Sequence, residues 1–155
     1  MKLKNLKIRK IYDSRGEATI SVEAEDASGH LHRSSVPSGK SRGIYEARVL
    51  SFEEAKEVLE QRIKPAILKK KIDTIQEADA ILFSVDGSEE KNKIGGNLAI
   101  GVSIVCARAL AFDRRGEIWE TVRDEFFKTP KEKIINSKQS KKSFFRNNLS
   151  AYRRN

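Results

Sequence analysis

Hydrophobic positions follow two rhythms along the chain, an alternation of two before Val36 and helical spacing after Ser51. Lys2 to Asp13 predicts a first strand, with Ile8 and Ile11 set among basic residues, ending in an Asp13-Ser14-Arg15-Gly16 turn. Thr19 to Glu25 alternates, Ile20, Val22 and Ala24 on one face and Thr19, Ser21, Glu23 and Glu25 on the other. This predicts a half-buried antiparallel strand. Asp26-Ala27-Ser28-Gly29 is a turn, and His30 to Val36 returns as a third strand. The Gly- and Pro-rich run Pro37 to Gly43 predicts a loop.

Helices follow. Ser51 with Glu54 three residues on forms a capping box, and Ala55, Val58, Leu59 and Ile63 make an apolar stripe. Pro65 marks a kink or a second helix. Asp73 is expected to cap a helix burying Ile75, Ala78 and Leu82 and stopping at Asp86-Gly87. Asn97 is expected to open the longest helix, apolar around most of its circumference to about Asp113 and so central to the core. Glu117 to Phe127 places Ile118, Trp119, Val122 and Phe126 at helical spacing. The plan is α+β: a three-stranded antiparallel meander followed by a helical bundle.

Beyond Phe127 the periodicity is lost and Lys, Asn and Ser dominate, which divides the chain into a domain over 1–127 and a basic tail over 128–155 expected to be disordered. The formal net charge of +9 belongs to that tail. Residues 128–155 hold nine Lys/Arg and one Asp/Glu, net 9 − 1 = +8, which leaves 22 − 21 = +1 for the domain. Lys141, Lys142, Arg146, Arg153 and Arg154 interleave with Phe144, Phe145 and Tyr152, a composition that would suit RNA or another polyanion. That makes a non-catalytic polyanion-binding module the alternative function. No signal peptide is legible at the basic N-terminus, and the run Leu98 to Phe112 is too short to span a bilayer. The expected setting is cytoplasmic, without a membrane partner.

Few residues carry legible chemistry. Cys106 sits in the apolar run without a positioned base, so a buried hydrophobe is expected rather than a nucleophile. Gly39-Lys40-Ser41 is similar to the end of a phosphate-binding loop. Position 34 is Ser34 instead of the required glycine, and Arg42-Gly43 stands where a helix should begin, which excludes that reading. His30 and His32 have no third ligand nearby and are expected to face solvent. Asp86, Glu89, Lys91 and Lys93 are expected to be cap and surface charges.

Three segments together resemble the N-terminal domain of enolases, in order and at the family's spacing. They are Asp13-Ser14-Arg15-Gly16 with Thr19, Val36 to Ala47, and Asp86 to Asn97 followed by Gly101-Val102-Ser103. The resemblance covers roughly residues 3–127. It implies an enolase, a lyase interconverting 2-phosphoglycerate and phosphoenolpyruvate in glycolysis and gluconeogenesis. In that family Mg²⁺ ions and a Lys base stabilise a dianionic intermediate at the mouth of a C-terminal barrel. By resemblance no catalytic residue falls in this chain. Ser41 aligns with a ligand of the second Mg²⁺, Ser38, Gly39, Lys40, Arg42 and Gly43 with the loop that closes over substrate, and Arg15 with a subunit-interface position. Lys40 and Arg42 depart from the family's small neutral residues and add two positive charges beside that site; Glu17-Ala18 replaces Asn-Pro. The implied partners are a separate barrel chain or a homo-oligomer, and the chain alone is expected to be inactive. The shift in composition after about Ile135 is what an out-of-frame reading of AT-rich DNA would give, so a truncated gene is a further expectation.

Overall fold

The computed structural model describes residues 1–39, 43, 46–88 and 92–127. The chain divides into two units, Met1–Val122 and Arg123–Asn155. Strands β1 (Leu3–Tyr12), β2 (Ala18–Asp26) and β3 (Leu31–Ser35) form one antiparallel sheet in the order β1-β2-β3. Register places Leu6 opposite Ala24, Ile8 opposite Val22 and Lys10 opposite Ile20. On the other side Val22 lies opposite Ser34 and Ala24 opposite His32. The α+β meander-then-helices plan expected from the two rhythms is the observed one.

β2 is buried on both faces, not one as its alternation predicts. Ile20, Val22 and Ala24 face the core, yet Ser21 and Glu23 are also buried. Glu23 is the central-strand residue between two edge strands, and Arg9 (2.8 Å) and Arg33 (2.5 Å) close over its carboxylate. The two guanidiniums pull its carboxyl below the ordinary glutamate range: the Arg9 hydrogen bond does most, against burial, with Arg33 adding to it.

Ser51 caps α1 (Phe52–Val58) through the expected box: its hydroxyl accepts from the Glu54 N–H, and the Glu54 side chain accepts from the Ser51 N–H. The helix then widens into a π turn, Leu59–Ile63, whose following Lys64 N–H bonds the Leu59 carbonyl, before the short α2 (Lys64–Ile67). Pro65 has no N–H to give an α-helical partner, and the π turn absorbs that break in the ladder. α3 (Ile75–Asp86) is capped by Thr74, not by Asp73: the Thr74 hydroxyl accepts from the Glu77 N–H at 3.1 Å. Gly87 ends it in the left-handed conformation, at φ 64°.

α4 (Gly96–Asp113) is the central helix, packed beneath β2 and β3 and against α3. It is the one described helix long and apolar enough to cross a bilayer, but Leu98, Val102, Val105, Cys106, Ala109 and Leu110 are spent on the core. Burying each such Val or Leu is worth about 1.5–3 kcal/mol. The helix opens at Gly96, with Gly95 before it, so Asn97 lies inside the first turn and its side chain is free for other work. In α5 (Ile118–Phe126), Ile118 and Val122 pack on the core and Thr121 is buried, while Trp119 turns outward. Cys106 is fully buried as expected, and desolvation pushes its thiol up to about 12.

Candidate functional site

A cleft of about 580 Å³ opens where the meander meets the helices. One wall is the start of β2, Glu17 to Ile20, with Lys10 beside it; Pro37, Ser38 and Gly39 leave β3 along its rim. The opposite wall is Glu46 and the segment from Val49 to Glu54, with Asn97 at the base. The cleft thus gathers residues from all three segments singled out in the sequence, which are far apart in the chain.

Its upstream root is fixed by two bonds from the β2–β3 ladder. The Thr19 hydroxyl donates to the Val36 carbonyl at 2.7 Å, and the Val36 N–H donates to Ile20 at 2.9 Å. On the far side the Glu46 N–H donates to the Gly43 carbonyl at 3.1 Å. Ser38 is half-buried, and Gly39 and Gly43 are exposed. Lys40, Ser41 and Arg42, expected to carry the substrate-closing and metal-binding roles, lie outside the described residues, as do Glu89, Lys91 and the basic tail.

Two of the carboxylates that line the cleft are held by neighbouring groups. Glu54 is held by the Ser51 N–H and paired with Arg48, and its pKa is lowered by those same bonds, Ser51 first. Glu17 pairs with Arg15 at 3.1 Å. Among the described residues no three His, Cys, Asp or Glu side chains come together as a metal site. Mg²⁺ demands a near-octahedral shell of oxygens, so the described donors do not fit it on their own.

Arg15 is committed to its own turn. Its guanidinium lies 2.9 Å from Asp13, whose other oxygen accepts the Arg15 and Glu17 backbone N–H groups at 2.8 and 2.9 Å. Those bonds, the Glu17 N–H first, lower the Asp13 pKa, while the Asp13 bond raises that of Arg15.

Two expectations about charged and polar residues are corrected. His32 is buried, not solvent-facing, because the phase of β3 turns it inward with Ser34. Its Nε2 lies 2.9 Å from the Asp26 carboxylate and its ring 5.5 Å from Phe112. His30 remains half-exposed against Phe112. Asp86 is buried at 1% exposure, not a surface charge: it accepts from the Ser88 N–H and hydroxyl, the Lys93 N–H at 3.1 Å and the Ile94 N–H at 2.7 Å.

Residues missed by sequence reasoning are those that build the cleft's far wall. Asn97 bonds both backbone groups of Leu50, and Gly95 and Gly96 let that segment approach. The glycine pair was the available signal, since two glycines before a helix mark a close backbone approach. Residues 3–122 match the sequence pattern of the family described as enolase, N-terminal domain, and this chain therefore belongs to that family.

Proposed function

We propose that the chain is the lid and dimerisation portion of an enolase, working with a barrel that holds 2-phosphoglycerate and phosphoenolpyruvate. What supports this reading is that the three family-like segments converge on one cleft, with Pro37 to Gly39 and Glu46 at its rim. Two of the cleft's described carboxylates, Glu54 and Glu17, are tied to Ser51, Arg48 and Arg15, and among the described residues no three acidic, His or Cys side chains form a cation cage. A domain built this way contributes shape and closure, while the charge of the dianionic intermediate is met elsewhere. Ser41 would add its neutral hydroxyl and carbonyl oxygens to a Mg²⁺ shell completed by barrel groups, and Arg15 would sit at a subunit contact. Glycolytic turnover in the cytoplasm belongs to the same reading.

The test is an assay of phosphoenolpyruvate formation from 2-phosphoglycerate with Mg²⁺. The 155-residue chain alone should show no activity above buffer. Adding an enolase barrel polypeptide that lacks its own N-terminal domain should restore turnover. Turnover by the chain alone, or none from the mixture at any ratio, would overturn the proposal.

A further inference from the structure

The segment from Glu46 to Ser51 joins the cleft's rim to α1, and it is held against the first turn of α4 by an unusual set of contacts. The Asn97 Oδ1 accepts from the Leu50 N–H at 3.1 Å and its Nδ2 donates to the Leu50 carbonyl at 2.9 Å. The Gly96 N–H donates to the Arg48 carbonyl at 2.8 Å. A carboxamide presents a donor and an acceptor side by side, so Asn97 replaces the two bonds a neighbouring strand would give.

The glycines beside it are required by space. A Cβ at Gly95 would lie 2.4 Å from the Leu50 Cγ, and its φ of +75° favours glycine in any case. A Cβ at Gly96 would lie 2.9 Å from the Ala47 Cβ. Leu50 is thereby seated in the core, while its neighbour Val49 is exposed. At the downstream end Arg48 reaches Glu54, which also holds the Ser51 N–H. Upstream of Ala47 the Glu46 N–H bonds the Gly43 carbonyl.

We infer that Asn97 is a positioning residue, whose carboxamide latches the strap over Arg48 to Ser51 and so sets where the cleft's far rim stands. The latch rests on described geometry alone; its consequence for turnover rests on the enolase reading above. It holds Arg48 to Ser51 against the first turn of α4. The Asn97 carboxamide bonds Leu50 in both directions, so removing it acts on the strap.

Two measurements on Asn97→Ala and Asn97→Asp test this. In amide hydrogen exchange on the 155-residue chain, Asn97→Ala should speed exchange at Leu50 about tenfold or more, with Val102, Val105 and Leu110 within about threefold of the parent. Asn97→Asp keeps the acceptor for the Leu50 N–H and should retain most of the protection there. Equal acceleration at Leu50 and in α4, or none at Leu50, would overturn the latch. In the barrel-complemented assay, Asn97→Ala should lower kcat/KM about tenfold at concentrations where circular dichroism shows it folded. Unchanged turnover there would overturn the positioning role. An inactive parent mixture would count against the enolase reading, and the exchange result would still decide the latch.

Discussion

Asp86 shows what one side chain contributes to this fold. Burial raises its pKa, but the Ser88 hydroxyl and the Ile94, Ser88 and Lys93 N–H groups outweigh that and leave it lowered. A carboxyl whose folded pKa is depressed contributes stability that is fully present above its unfolded value, near 3.9, and is lost as pH falls through the folded value. Asp26 follows the same rule: burial opposes, and His32, His30 and Ser28 prevail. Asp86→Asn would turn an amide donor either toward the Lys93 and Ile94 N–H groups, which share one oxygen, or toward the Ser88 N–H and hydroxyl, which share the other. We expect it to cost about 2 kcal/mol at pH 7, the scale of a buried unsatisfied pair. The gap to the parent, read from urea unfolding, should narrow between pH 5 and pH 3; a gap independent of pH would refute the ionic account. The Asp86-Gly87 stop was legible from sequence as a helix end. The burial was not, because it depends on Lys93 and Ile94 folding back over the carboxylate, seven and eight residues on.

At the scale of elements, periodicity was legible where one face is dry and the other wet, and misleading elsewhere. The phase of β3 could have been read backward from Val36, which would have turned Ser34 and His32 inward; polar identity argued the other way. Glu23 was lost for a different reason: the expected meander makes β2 central, but nothing in the sequence fixes the register that brings Arg9 and Arg33 over its outer face. Thr74 and Asp73 are adjacent competent caps, and the extended backbone of Thr74 decides between them. Gly101 carries a prediction at this scale. In mid-helix an alanine is favoured by about 1 kcal/mol on propensity. Here a Cβ would lie 2.6 Å from the Val22 Cγ2 and 3.0 Å from the Val36 Cγ2. Both neighbours are β-branched, Val22 on β2 and Val36 just after β3, with little rotamer freedom to yield. Packing should win, so Gly101→Ala is expected to destabilise by about 1–3 kcal/mol, read from the urea midpoint. A gain in stability would mean that α4 can lift away from β2 and β3 at little cost.

For the whole molecule, family membership was legible because three short segments keep their order, whereas the cleft they share was not. Glu17, Ser38, Glu46 and Asn97 become neighbours only after the meander folds onto α4. The charge distribution gives the last prediction. Every buried hydrophobic residue described lies at or before Ala111, and the family match ends at residue 122. The net charge, by contrast, is carried by residues 128–155. Stability and polyanion affinity should therefore separate when the chain is cut after Phe127. The shortened chain should unfold cooperatively, with a midpoint within about 3 °C of the parent, since roughly 1 kcal/mol shifts the midpoint by about 2–4 °C in chains of 150–250 residues and about 4–8 °C in those of 60–100. Its net charge falls from +9 to +1, as 9 − 8 = 1. It should leave a cation exchanger at much lower salt and lose any RNA affinity the full chain shows at low salt, because that affinity rests on phosphate neutralisation. Loss of cooperative unfolding would place part of the core beyond Phe127. RNA binding that survives the cut would move the basic surface onto the sheet, where Lys7 and Lys10 stand outside the ion pairs that occupy Lys4, Arg9 and Arg33.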